Sequence, residues 1–154
     1  MMPEFVVNKS TFCAIFIFLF LSPLLRAQDT DPWDILADTE FSQQYFEEEQ
    51  ASFLAPTFGP LPKSFEGKPF TITGFLIPLD PGNEEYILSK YPYASCFFCG
   101  GAGPESVVEL KFPEGIVPRN YQLDEYISFK GTLILNSTDI FRMNFILEDA
   151  VELN

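Results

Sequence analysis

The chain has 154 residues and contains no histidine, one tryptophan, three cysteines and only nine basic residues against twenty-two acidic ones. Without imidazole, the commonest general base and the commonest metal ligand are both missing. No Gly-x-Ser-x-Gly elbow or phosphate-cradling glycine loop is present, and no spacing marks two acids as an acid-base couple. The shortage of positive charge leaves a formal net charge of -13, which repels nucleic acid and anionic lipid and favours cations or basic partners. The expectation is a protein that does not bind nucleic acid. Repeats and low-complexity tracts are also missing.

A hydrophobic run long enough to span a bilayer is lacking too. The apolar stretch from Thr11 to Leu25 is interrupted by Pro23 and falls short of the roughly 20 residues a transmembrane helix needs. Lys9 before it, and Leu25-Arg26-Ala27-Gln28 after it, give it the layout of a secretory signal peptide. The expectation is cleavage after Ala27, export to the periplasm or beyond the cell, and no stable membrane insertion afterwards. Cys13 leaves with residues 1–27, and Ser10-Thr11-Phe12 before it do not form a lipobox.

What remains is one ordinary domain with seven basic and twenty-one acidic residues. Residues 28–62 read as an acidic N-terminal segment followed by a Pro-rich linker. Between Asp29 and Gln50 there are eight acids and no base, with Trp33, Leu36, Phe41 and Tyr45 at near-helical spacings. This predicts one or two helical turns that dock aromatics on the core, with Glu47-Glu48-Glu49 as a solvated face. Ala55 to Pro62 carries Pro56, Gly59, Pro60 and Pro62, which predicts a linker without helix.

Residues 63–154 change to a period of two. Phe70, Ile72 and Gly74 alternate with Thr71, Thr73 and Phe75 in a strand that Gly74 bends and Pro78 interrupts or ends. Asp80-Pro81-Gly82-Asn83 is turn chemistry. Tyr86 to Tyr91, Ser106 to Phe112, Tyr126 to Leu135 and Asn144 to Leu153 supply four further strands. Five strands with Gly74 and Gly131 in their interiors, and no long helical crossover, predict a mostly β fold: a small five-stranded antiparallel barrel like the oligonucleotide-binding type, with a short helical N-terminal segment. A small β-sandwich is the alternative, and the barrel name implies no nucleic-acid ligand.

The richest chemistry lies between the second and third strands, in Cys96-Phe97-Phe98-Cys99-Gly100-Gly101. Three uses are open to the two thiols. A structural disulfide suits an oxidising compartment and, closing so short a loop, would contribute roughly 2 kcal/mol, mainly fixing local shape. A soft metal is the second. Zinc would need two more ligands beside Cys96 and Cys99, with Glu105, Glu109 or an acidic residue of the N-terminal segment as oxygen donors and Glu105 preferred, whereas copper(I) suits two thiolates. The third is thiol-disulfide exchange, but the loop holds no helix start to depress a thiol pKa. One of Phe97 and Phe98 is expected to cap the barrel, or else both form a patch that docks a partner. Asn136-Ser137-Thr138 fits the N-glycosylation pattern and equally a hairpin tip.

Trp33, Gly67-Lys68, Gly74-Phe75 with Ile77-Pro78-Leu79, the Cys96 to Pro104 loop, Val107-Val108-Glu109, Lys130-Gly131 and Ala150 together make the chain resemble an uncharacterised family of exported bacterial proteins. The resemblance implies a periplasmic or surface protein, some relatives of which lie near transporter components linked to zinc uptake. It supplies no catalytic residue. The expectation is therefore a non-enzymatic binding or accessory protein with an unidentified protein partner, a transporter component being the candidate. A periplasmic thiol-disulfide oxidoreductase and a purely structural or interaction module are the alternatives.

Overall fold

A computed structural model describes residues 30–83, 85–116 and 119–153. The expected signal peptide, its cleavage point and Cys13 lie outside the described residues. No helix among those described is long and apolar enough to cross a membrane.

The chain enters through helix α1 (Pro32–Leu36). Asp31 caps it, its carboxylate accepting a hydrogen bond from the Trp33 backbone N–H at 3.0 Å, and Pro32 fits the first turn because no helical amide bond is needed there. As the spacing predicts, this turn docks apolar side chains: Trp33, Ile35 and Leu36 all join the main core. Phe41 and Tyr45, however, lie on a strand. β1 (Thr39–Phe46) and β2 (Ala51–Phe58) pair antiparallel in an eight-residue register as a separate two-stranded ribbon. The supposed linker from Ala55 to Pro62 is thus half strand, and helix α2 (Pro60–Phe65) begins in its second half. Pro60 and Pro62 do not prevent this helix because both sit in its first turn, where the missing N–H groups would have no partner anyway.

The remaining five strands are β3 (Pro69–Asp80), β4 (Glu85–Ser89), β5 (Val107–Leu110), β6 (Tyr126–Leu135) and β7 (Phe145–Leu153). They close into a barrel in the order β3-β4-β5-β7-β6. The expected all-antiparallel arrangement is corrected at one seam, where Glu109 and Leu110 of β5 run parallel to Ile146 and Leu147 of β7. The reason is topological: around a closed ring of five strands directions cannot alternate throughout, so at least one neighbouring pair must be parallel.

β3 holds two walls together. Its first half pairs with β6 up to Phe75, and from Phe75 onward it pairs with β4. Gly74 stands at this switch, and a Cβ there would run into the Ser89 carbonyl oxygen and the Trp33 ring. Pro78 does not end the strand. It lies beyond the last β6 pair, where β3 has a strand neighbour on one side only, and the register slips between Pro78 and Asp80. A second slip, opposite Lys130 and Thr132, lets β7 turn toward β5.

Alternate residues then divide into two cores. Phe70, Ile72, Leu76, Leu88, Val108, Phe129 and Leu147 fill the main one with α1, whereas Ile77, Ile87, Val107 and Cys96 form a smaller cluster on the other face of β3, β4 and β5.

Candidate functional site

The cysteine loop covers that second face. The expected capping of the barrel end is corrected: Phe97 packs against the Ile77, Ile87, Cys96 and Val107 cluster, while Phe98 stays exposed and meets Phe97 edge to face at 5.5 Å. Continuous burial of β4 from Tyr86 to Ser89 follows from cover on both sides.

Two 3₁₀ turns, Tyr93–Ser95 and Phe97–Cys99, build the loop. The Cys96 carbonyl accepts hydrogen bonds from the N–H groups of Cys99 and Gly101, both at 3.1 Å, and the Gly100 N–H donates to Phe97 O at 3.0 Å. Gly100 ends the second turn at φ 72, a left-handed conformation that suits glycine because it has no Cβ to collide. On one flank the Tyr93 N–H donates to the Asp124 carboxylate at 2.7 Å. On the other, the Lys90 N–H donates to Ser106 O at 2.9 Å. The loop is therefore pinned to the barrel at both ends.

Within it the two cysteines lie about 4.4 Å apart without a disulfide bond. Cys96 is buried and Cys99 exposed. Partial desolvation by the loop, together with the adjoining Cys96 thiol, pushes the Cys99 thiol pKa above its ordinary value, which keeps the sulfur protonated and weakly nucleophilic at neutral pH. Glu105 folds its carboxylate against Gly103. Among the described residues no three cysteine, aspartate or glutamate side chains gather as a metal site. Cys96 and Cys99 are thus brought together, and Glu105 does not complete a three-ligand set with them. Glu109, the other oxygen donor weighed, spends both carboxylate oxygens on Arg142 Nε at 2.8 and 2.9 Å.

That ion pair is a feature the sequence hid. Glu109 also accepts from the Met143 N–H at 3.2 Å, so it ties the β6–β7 connection to β5. Asn136 closes the same connection, its side-chain oxygen accepting from Asp139 N at 2.9 Å and its Nδ2 donating to Asp139 O at 2.7 Å. The glycosylation-like triplet is a built turn whose amide is already engaged.

Between this connection, the β1–β2 ribbon and the cysteine loop runs a groove of about 200 Å³. Phe46 and Phe53 of the ribbon, Phe97 and Pro104 of the loop, and Ile140 and Met143 of the connection give it apolar walls. Elsewhere Arg119 gathers Glu125 and Glu152, with Nε 2.9 Å from the Glu152 carboxylate, and its guanidinium lies 4.3 Å over the Tyr121 ring. Hydrogen bonds from Arg119 hold both carboxyl pKa values below the ordinary range. Burial and the Glu152 charge push the Tyr121 phenol up to about 12. No local motif announces this cluster, because its members are brought together by the fold. In comparison with known proteins, the chain matches no family model, no curated protein and no solved structure.

Proposed function

We propose that the protein is an exported, non-enzymatic binding or accessory module in which Cys96 and Cys99 act as a clamp on one wall of its groove. The observation that carries this reading is the approach of the two cysteines to about 4.4 Å on either side of Phe97, which itself lines the groove. Closing the pair fixes the Phe97 turn; opening it frees Cys99, the exposed member, and with it the loop's outer half. The raised Cys99 pKa slows any exchange at this thiol without preventing it, and so favours a bridge that forms once over the rapid turnover of a thiol-disulfide enzyme. For a metal, the missing third donor among the described residues disfavours zinc and leaves a two-coordinate soft ion such as copper(I), held by Cys96 and Cys99 alone.

The barrel bears on the fold type and not on export. Its order, first-second-third-fifth-fourth with the third and fifth strands parallel, is consistent with the oligonucleotide-binding-type topology, while the net charge of -13 disfavours that fold's usual nucleic-acid ligand. The resemblance of its motifs to an uncharacterised exported family is the ground for reading it as an accessory protein, with a transporter component as the kind of partner that resemblance suggests.

Native mass spectrometry tests the clamp. Oxidised glutathione should accept the two electrons and two protons of the thiols, leaving one intramolecular disulfide and two molecules of reduced glutathione, and the mass should fall by two hydrogens and recover on reduction. Cys99→Ser should abolish the change. A wild-type chain that forms no bridge under these conditions and holds no copper(I) after reduction sinks the proposal.

A further inference from the structure

We propose that the outer edge of β1 is a docking site for an extended, lysine- or arginine-bearing segment of a partner protein, which joins the ribbon as a third strand. β1 and β2 form a sheet of two strands, and among the described residues no other strand joins them. Phe41, Ala55 and Phe58 pack the base of the ribbon on the core, while its outer half has no cover beyond the pairing itself, where a third strand adds stability. The two edges are not equivalent. β2 carries Pro56, which has no N–H to donate and blocks a ladder. β1 has no proline, no lysine and no bulge, and its register runs unbroken from Thr39 to Phe46. These are the devices with which natural edges repel unwanted strands, and β1 lacks all three.

Exposure and charge indicate what pairs there. Ser42, Gln43, Gln44 and Tyr45 are exposed in succession, so neither face of this stretch is covered by the barrel. Glu40 lies on the strand and Glu47, Glu48 and Glu49 at the ribbon tip, with no basic residue between Asp29 and Pro62. A second copy of the chain would bring these carboxylates and two net charges of -13 against one another. An extended segment bearing positive side chains is drawn in instead, and acidic strands are turned away. The mode is strand addition, in which main-chain hydrogen bonds hold the segment and its side chains set the choice of partner. Apart from Phe46, β1 contributes nothing to the groove, so this docking site stands apart from the cysteine clamp.

The test is a titration of the isotope-labelled full chain with the blocked hexapeptide Lys-Val-Lys-Val-Lys-Val, followed by amide chemical shifts. Shifts confined to the ribbon and centred on β1 are expected, with affinity falling on the order of tenfold between low and physiological salt. Replacing Glu47, Glu48 and Glu49 together by Gln should weaken binding several-fold. Cys99→Ser should leave the titration unchanged, so the clamp and the docking site fail separately. Equal binding by Lys-Val-Lys-Pro-Lys-Val, which keeps the charge but cannot extend the ladder, overturns the proposal. So does equal binding by Glu-Val-Glu-Val-Glu-Val. Protection of the β1 amides in the free chain, through dimerisation or through residues 1–29, overturns it as well.

Discussion

Trp33 shows how one side chain joins two parts of the sequence. Its ring is buried in the main core, and its Nε1–H donates to the Thr73 carbonyl at 2.8 Å, 40 residues further on. Aromatic spacing is enough to predict that Trp33 docks; it does not name Thr73, because a hydrogen-bond partner so distant leaves no local trace. Trp33→Phe keeps a ring but strands that acceptor, and the expected loss is about 1 to 3 kcal/mol, measured as a shift in the urea midpoint followed by circular dichroism. An unchanged midpoint would show that the bond contributes nothing. The same limit applies to Glu109, weighed from sequence as a metal ligand. Its oxygens belong to Arg142, 33 positions away.

β3 illustrates what period-two patterning can and cannot tell. The alternation puts Phe70, Ile72 and Gly74 on one side of the strand, and the structure buries that side, with Leu76 continuing it. The interior glycine correctly marks the point where the strand passes from one neighbour to another. Gly74→Ala should destabilise by about 1 to 3 kcal/mol, since the added methyl meets the Ser89 backbone carbonyl and the Trp33 ring and neither can move cheaply. Gly82→Ala is the control: among the described residues its new Cβ meets the Asp80 side chain alone, at 3.3 Å, and a change within about 0.5 kcal/mol is expected. Equal losses in the two variants would mean that the switch at Gly74 is not tightly packed. The ribbon was the element least legible beforehand. Phe41 and Tyr45 satisfy a helical spacing as well as a strand's, and Pro56 and Pro60 suggest a linker; pairing between β1 and β2 settled the choice.

Across the fold, the excess of acid shapes stability. Arg119 binds Glu125 of the β5–β6 connection and Glu152 of β7, and it holds both carboxyl pKa values below the ordinary 4.5. A depressed folded-state pKa gives stability that is present above about pH 4.5 and lost as the pH falls through the folded values. Acidification also relieves repulsion among the many other carboxylates, which acts in the opposite direction. The difference between the wild-type chain and Arg119→Ala isolates the first effect. That difference in urea midpoint should be largest near neutral pH and shrink as the pH falls below about 4.5; one that stays constant down to pH 2 would remove the role assigned to Arg119.

Local pattern and composition were sufficient for the β-rich class, for β6 from Tyr126 to Leu135, for the closeness of Cys96 and Cys99, and for the excess of negative charge. Each of these depends on residues adjacent in the chain or on a sum over all of it. The parallel β5–β7 seam, the cysteine loop lying on the outer face, the Glu109–Arg142 pair and the groove under the ribbon arise from ring closure and from contacts between distant segments. Such contacts cost loop-closure entropy that packing offsets only when the chain folds, and no short stretch of sequence carries that balance.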